Sequence, residues 1–116
     1  MNAIPKRFGQ IIRVKPEKLD DYIVLHKNPW PCVLERLDKS NIGNYSIFLA
    51  PGDLLFAYFE YFGQDLDADL RLIAEDPCTQ KWWYETDPCQ QSMDPDGKQQ
   101  WLDLKEVFHM PAGNRG

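Results

Sequence analysis

The chain is poor in the residues that mark metal and disulfide proteins. Its 116 residues include only three cysteines, Cys32, Cys78 and Cys89, and two histidines, His26 and His109. An odd cysteine count with no close C-x-x-C pair argues against both a disulfide scaffold and a zinc ribbon, so reduced, structural cysteines are expected. No metal or other cofactor is implied. No apolar run approaches the ~20 residues that span a bilayer. There is no lysine or arginine cluster and the net charge is -5, so nothing draws phosphate backbones or anionic membranes. Nucleic acid and membranes are therefore set aside as partners. The opening Met-Asn-Ala-Ile-Pro-Lys-Arg lacks the apolar centre of a signal peptide, and a cytoplasmic protein is expected. The sequence shows neither an internal repeat nor a low-complexity segment.

Apolar residues make up 43% of the chain and aromatics 13%, enough for one modest core. We expect a single domain over residues 1–116, with its core from about 8 to 110 and a polar tail at 111–116. Residues 8–14 read as a strand with Phe8, Ile12 and Val14 on one face. Pro16 opens a helix whose early acidic residues, Glu17, Asp20 and Asp21, suit its dipole. Two prolines in Asn28-Pro29-Trp30-Pro31 must break that helix. Pro31 then suits the first position of a second piece reaching about Lys39, with Val33, Leu34 and Leu37 inward. Tyr45 to Ala50 alternates as a strand, with Tyr45, Ile47 and Leu49 on one face and Phe48 on the other, and Pro51-Gly52-Asp53 is a hairpin turn. Leu54 to Phe62 is apolar on both faces, which suits a strand covered on both sides. Helical spacing follows at Leu66, Leu70, Ile73 and Ala74. Asp76-Pro77 is expected to restart a helix through Tyr84. Residues 87–98 read as loop, and Trp101 to Met110 contains the last strand, with Leu104 and Phe108 on one face and Val107 on the other.

The resulting β-α-β-β-α-β order is that of the ferredoxin-like α+β fold, an antiparallel sheet with both helices on one face. In so short a chain the helices can cover one sheet face only. The other implies a homodimer through the open sheet face, a dimeric α+β barrel.

Leu19, Tyr22, Ile23 and His26 share one helical face, with Tyr22 and His26 one turn apart, close enough to converge on a small ligand. A lone histidine on an apolar face is usually a satisfied core residue. Here the tyrosine one turn before it and the proline break just after it favour a sugar-sized pocket, and histidine suits proton transfer near neutral pH. Trp82 and Trp83 can serve as a carbohydrate platform, an indole ring under the sugar's C–H face, although at least one should be core. Tyr45 is either core or presents its hydroxyl to the same cavity. Glu60, inside an apolar strand, can form an ion pair or act as a second acid/base. Asp65, Asp67 and Asp69 read as a solvated helix start.

Tyr22-x-x-x-His26 followed by Pro29-Trp30-Pro31, Asn44-Tyr45-Ser46-Ile47, Leu54-Leu55-Phe56-Ala57, Trp82-Trp83 and Glu106-Val107-Phe108-His109 occur together and in order. In this the chain resembles the L-rhamnose mutarotases, small ferredoxin-like homodimers, from about residue 8 to 110. It departs from them at Cys32, where an acidic residue is usual, and in detail between Asp87 and Trp101. The resemblance implies cofactor-independent interconversion of the α and β anomers of L-rhamnose, or of a related 6-deoxy sugar. It further implies His26 as the catalytic proton donor and Tyr22, Tyr45, Trp82 and Trp83 as sugar contacts. The competing readings are an L-fucose mutarotase, a monooxygenase-like dimeric barrel protein and a non-enzymatic small-ligand-binding protein.

Overall fold

The computed structural model describes residues 4–113. Strand β1 (Lys6–Val14) leads through a 3-10 turn (Pro16–Lys18) into helix α1 (Leu19–Lys27) and then α2 (Pro31–Lys39). Strands β2 (Ile42–Ala50) and β3 (Leu54–Tyr61) form a hairpin, followed by α3 (Leu66–Glu75) and α4 (Pro77–Thr86). A second 3-10 turn (Asp87–Cys89) ends in β4 (Gln90–Gln91), and β5 (Leu102–Leu104) closes the sheet. The strand order is β2-β3-β1-β4, with β5 also paired to β1, and every pairing is antiparallel. This is the ferredoxin-like arrangement, with each expected helix divided in two.

Local chemistry accounts for the divisions. Pro31 stands at the start of α2, where its missing N–H costs nothing. Asp76 ends α3 and caps α4, its carboxylate accepting from the Thr79 backbone N–H at 2.9 Å and the Thr79 hydroxyl at 2.8 Å. Asp65 caps α3 in the same way, accepting from the Ala68 N–H at 3.1 Å. The β2–β3 turn places Gly52 at φ 87° and Asp53 at φ 59°, left-handed backbone that glycine and aspartate tolerate best.

Register sorts the side chains onto two faces. Ile12 and Val14 of β1 and Leu55, Ala57, Phe59 and Tyr61 of β3 are buried on the helix side. They pack there with Tyr22, Ile42, Ile73 and Cys89 in two adjoining clusters. On the outer face Phe48, Phe56, Ile11 and Leu102 lie in one row across β2, β3, β1 and β5. Phe48 and Phe56 are exposed. The strand expected to be apolar on both sides is thus covered by helices on one side only.

The segment 87–98, expected as loop, opens with the 3-10 turn and β4, which pairs with β1, and three further details differ from expectation. Leu34 points outward, because Val33 and Leu37 already fill the inner stripe of α2. The last strand is short: its ladder ends at Gly9↔Leu104, beyond which the Arg7 guanidinium holds Glu106 with two bonds of 2.8 Å. Val107 and Phe108 are left 90% and 79% exposed. Finally, Cys32 and Cys78 form a disulfide, and only Cys89 is free. Each of the paired cysteines follows the proline that opens α2 or α4, and the packing of those helices brings their Cα atoms to 6.2 Å. A separation of 46 residues gives no local sign of such a pairing.

Candidate active site

A cavity of about 240 Å3 lies between α1 and the β2–β3 edge of the sheet. The helix contributes Leu19, Tyr22, Ile23, His26 and Lys27, and the strands contribute Ile47, Leu49 and Leu55. It is smaller than the roughly 300–1,000 Å3 usual for drug-sized ligands and suits a monosaccharide. The four residues expected to share a helical face do line one cavity. The amphipathic period and the prolines after it decide this, since α1 stops at Lys27 beside the opening instead of running past it.

His26 is held on several sides. Its ring stacks on Tyr22 with centroids 4.1 Å apart and meets the edge of Trp82 at 5.3 Å, and Trp82 in turn meets Trp30 at 5.2 Å. His26 Nδ1 lies 2.8 Å from the Tyr22 carbonyl oxygen. A carbonyl can only accept, so Nδ1 carries the hydrogen and the Nε2 lone pair is free in the neutral ring. Burial lowers the His26 pKa from its ordinary 6.5, opposed by the weaker effect of that backbone bond. Desolvation therefore favours the neutral ring.

Tyr22 is buried, and among the described residues its hydroxyl has no hydrogen-bond partner. Burial strongly raises its pKa. The Gln90 side chain approaches and opposes that rise, but without bonding geometry. Tyr22 lines the cavity as a residue, but its hydroxyl is enclosed by protein. Tyr45, on the same sheet face, stacks on Phe59 at 5.4 Å. The residue as a whole is 40% exposed at the sheet edge, yet its hydroxyl end is desolvated enough to push its pKa up to about 12. It flanks the cavity without lining it.

The adjacent tryptophans divide. Trp82 is 8% exposed and packs on His26, whereas Trp83 is 39% exposed and, among the described residues, has no ring contact with the group. Glu60 is not part of the site. It sits on the outer face, accepting from the Tyr58 hydroxyl at 2.6 Å and from Asn44 Nδ2 at 2.5 Å, and those bonds lower its pKa. Among the described residues it forms no ion pair, and it does not line the cavity. Trp30, part of the proline break, is the aromatic the sequence reading left without a role. Its signal was its place inside the break itself. Among the described residues no group of three or more histidine, cysteine or acidic side chains is placed to hold a metal.

Comparison with known proteins bears on this geometry. The chain is 37% identical over 106 residues to an L-rhamnose mutarotase of Oceanobacillus iheyensis, spanning 90% of this chain and 98% of that protein. Its fold is similar to that of the crystallised L-rhamnose mutarotase from Formosa agariphila, with a TM-score of 0.72 at 24% identity over 91% of this chain and 99% of that one. It is also similar, at a TM-score of 0.62 and 13% identity, to tetracenomycin F2 cyclase from Streptomyces glaucescens, a type-II polyketide cyclase, with 91% of this chain and 99% of that one covered. The fold thus supports more than one chemistry and cannot itself name the reaction. The family model for L-rhamnose mutarotase, however, matches residues 7–110. The chain belongs to the L-rhamnose mutarotase family.

Proposed function

We propose that the protein is a mutarotase that interconverts the anomers of L-rhamnose at the cavity beneath α1, with His26 as its acid/base group. The observation that carries the reading is the commitment of His26 Nδ1 to the Tyr22 carbonyl, which leaves the Nε2 lone pair free for proton exchange in a ring that lines the cavity.

Opening the pyranose ring moves one proton from the anomeric hydroxyl to the ring oxygen as the bond from C1 to that oxygen breaks. Rotation about C1–C2 and closure on the other face return a proton from that oxygen to O1, so nothing is consumed. Neutral His26 Nε2 takes the first proton, and as an imidazolium it gives one back. A water relays that proton from the His26 imidazolium to the ring oxygen, and the closure step runs the same path in reverse. Tyr22 is not assigned this relay, because its hydroxyl is enclosed by protein. As a residue that lines the cavity, it is assigned a packing contact with the sugar. Trp82 holds the His26 ring and backs the cavity, Tyr45 closes the sheet edge, and the more exposed Trp83 is assigned the outermost sugar contact. No cofactor is required by this chemistry.

The apolar row on the outer face fits a second copy of the chain, and the active form is read as a homodimer through that face. No helix among the described residues is long and apolar enough to cross a membrane. The reading places the reaction in the cytosol, where thiols are kept reduced, so the state of the Cys32–Cys78 pair there depends on the balance between the bridge and that pool.

Magnetisation-exchange NMR of L-rhamnose tests the activity against a buffer blank, since the sugar also equilibrates unaided. Faster exchange between the anomer signals with the protein is expected. An exchange rate equal to the blank, with ordinary sugar binding, would select a binding protein instead.

A further inference from the structure

The cavity has two chemically distinct walls. The α1 side carries the hydrogen-bonding side chains His26 and Lys27 beside Leu19, Tyr22 and Ile23, whereas the sheet side is Ile47, Leu49 and Leu55, three aliphatic side chains with no polar atom. We propose that this aliphatic wall determines specificity by receiving the C6 methyl of a 6-deoxy sugar and excluding sugars with a hydroxyl at C6. The inference rests on the mutarotase reading and goes beyond it by naming which residues read which part of the substrate.

The constitution of the sugar forces the placement. His26 must address C1 and the ring oxygen, where the proton transfers occur. C5 is bonded to that oxygen and carries C6, so C6 lies beside the reacting edge and within the same small cavity. The groups able to bond hydroxyls are on the helix wall, so C6 turns to the strands. Ile47 and Leu49 are on β2, opposite Ala57 and Leu55 of β3, and the register fixes all of them on the helix-covered face. A methyl group there gains apolar contact. A hydroxymethyl group would bury its hydroxyl with no partner, a mismatch an apolar pocket rejects by up to about 100-fold. The wall does not read ring stereochemistry, so it separates L-rhamnose from L-mannose, its counterpart with a hydroxyl on C6, and not one 6-deoxy sugar from another.

The test compares kcat/KM for L-rhamnose and L-mannose by exchange NMR in the intact protein and in Leu49→Thr and Ile47→Thr. Leu49 lies on an edge strand and is half exposed, and Ile47→Thr keeps a β-branched side chain, so both substitutions suit the strand. The intact protein should favour L-rhamnose by about 10- to 100-fold, and the variants should narrow that ratio by roughly 10-fold, chiefly by losing L-rhamnose. Equal efficiency on both sugars in the intact protein, or variants that lower both sugars by one factor or neither, would overturn the assignment. Acceleration of neither sugar by the intact protein would instead overturn the mutarotase reading, and this inference with it.

Discussion

The two faces of the sheet treat their polar atoms in opposite ways. On the outer face they are paired with one another: Glu60 accepts from Tyr58 and Asn44, and Arg7 holds both oxygens of Glu106. What is left open there is apolar, the exposed Phe48 and Phe56. On the helix-covered face the apolar side chains are closed into a core that encloses the Tyr22 hydroxyl, and the polar group that meets the cavity without a protein partner is the His26 Nε2. Open apolar surface is satisfied by another protein surface, whereas open polar atoms in a small cavity are satisfied by a small polar ligand. On the proposed reading, one sheet separates assembly from chemistry.

The sharpest way to break that division is His26→Ala. It should lower the enzymatic exchange rate by about 10²–10⁴-fold while the circular dichroism spectrum and melting behaviour stay close to those of the parent. An undiminished rate would remove His26 from the chemistry. Next in size is the contrast within the tryptophan pair. Trp82→Ala should cost about 3–5 kcal/mol in denaturant unfolding as well as sugar affinity, because it empties a packed site behind His26. Trp83→Ala should cost under about 1 kcal/mol of stability and act on sugar affinity alone.

The disulfide tests whether the helix layer behind the site is braced from outside. It ties the first turns of α2 and α4, between which Trp30 meets Trp82. Cys32→Ser, or a strong reductant, should lower unfolding free energy by about 2–4 kcal/mol. Equal unfolding curves with and without reductant would show that the bridge contributes nothing. On the outer face, Phe56→Asp should weaken self-association by roughly 10-fold or more in light scattering, as loss of an aromatic anchor does, with little change in the cavity's hydrogen bonds.

The smallest effect concerns pH. In the proposed mechanism His26 acts as a base in its neutral form, and burial lowers its pKa below the ordinary 6.5. The neutral form therefore persists to lower pH than for a free histidine. Activity should be flat through neutrality and fall only as the pH drops through that lowered pKa. A profile whose acid limb centres above 6.5 would mean that the ring is not desolvated as described.

Much of this was legible in the chain. The 3.6-residue period of Leu19, Tyr22, Ile23 and His26 placed them on one face before any contact was known, and proline positions marked where α1 must stop and where α2 and α4 begin. Asp76-Pro77 read correctly as a cap because a carboxylate before a proline-opened turn satisfies free backbone donors locally. Such signals act within one or two turns, so sequence order contains them. The alternation in β2 likewise put Tyr45, Ile47 and Leu49 on one face.

What the chain alone left open were matters of long-range packing. The equivalence of the two tryptophans was broken only when α4 rotated Trp82 onto His26, a choice set by the neighbouring helix and not by the Trp-Trp sequence. Glu60 was removed from the chemistry by strand register, which turned it to the face opposite His26. The bridge between Cys32 and Cys78 arose from the meeting of two helix starts 46 residues apart. Local periodicity determined which residues could share a surface. Only the tertiary structure decided which surfaces meet, because that depends on contacts between segments that carry no sequence sign of one another.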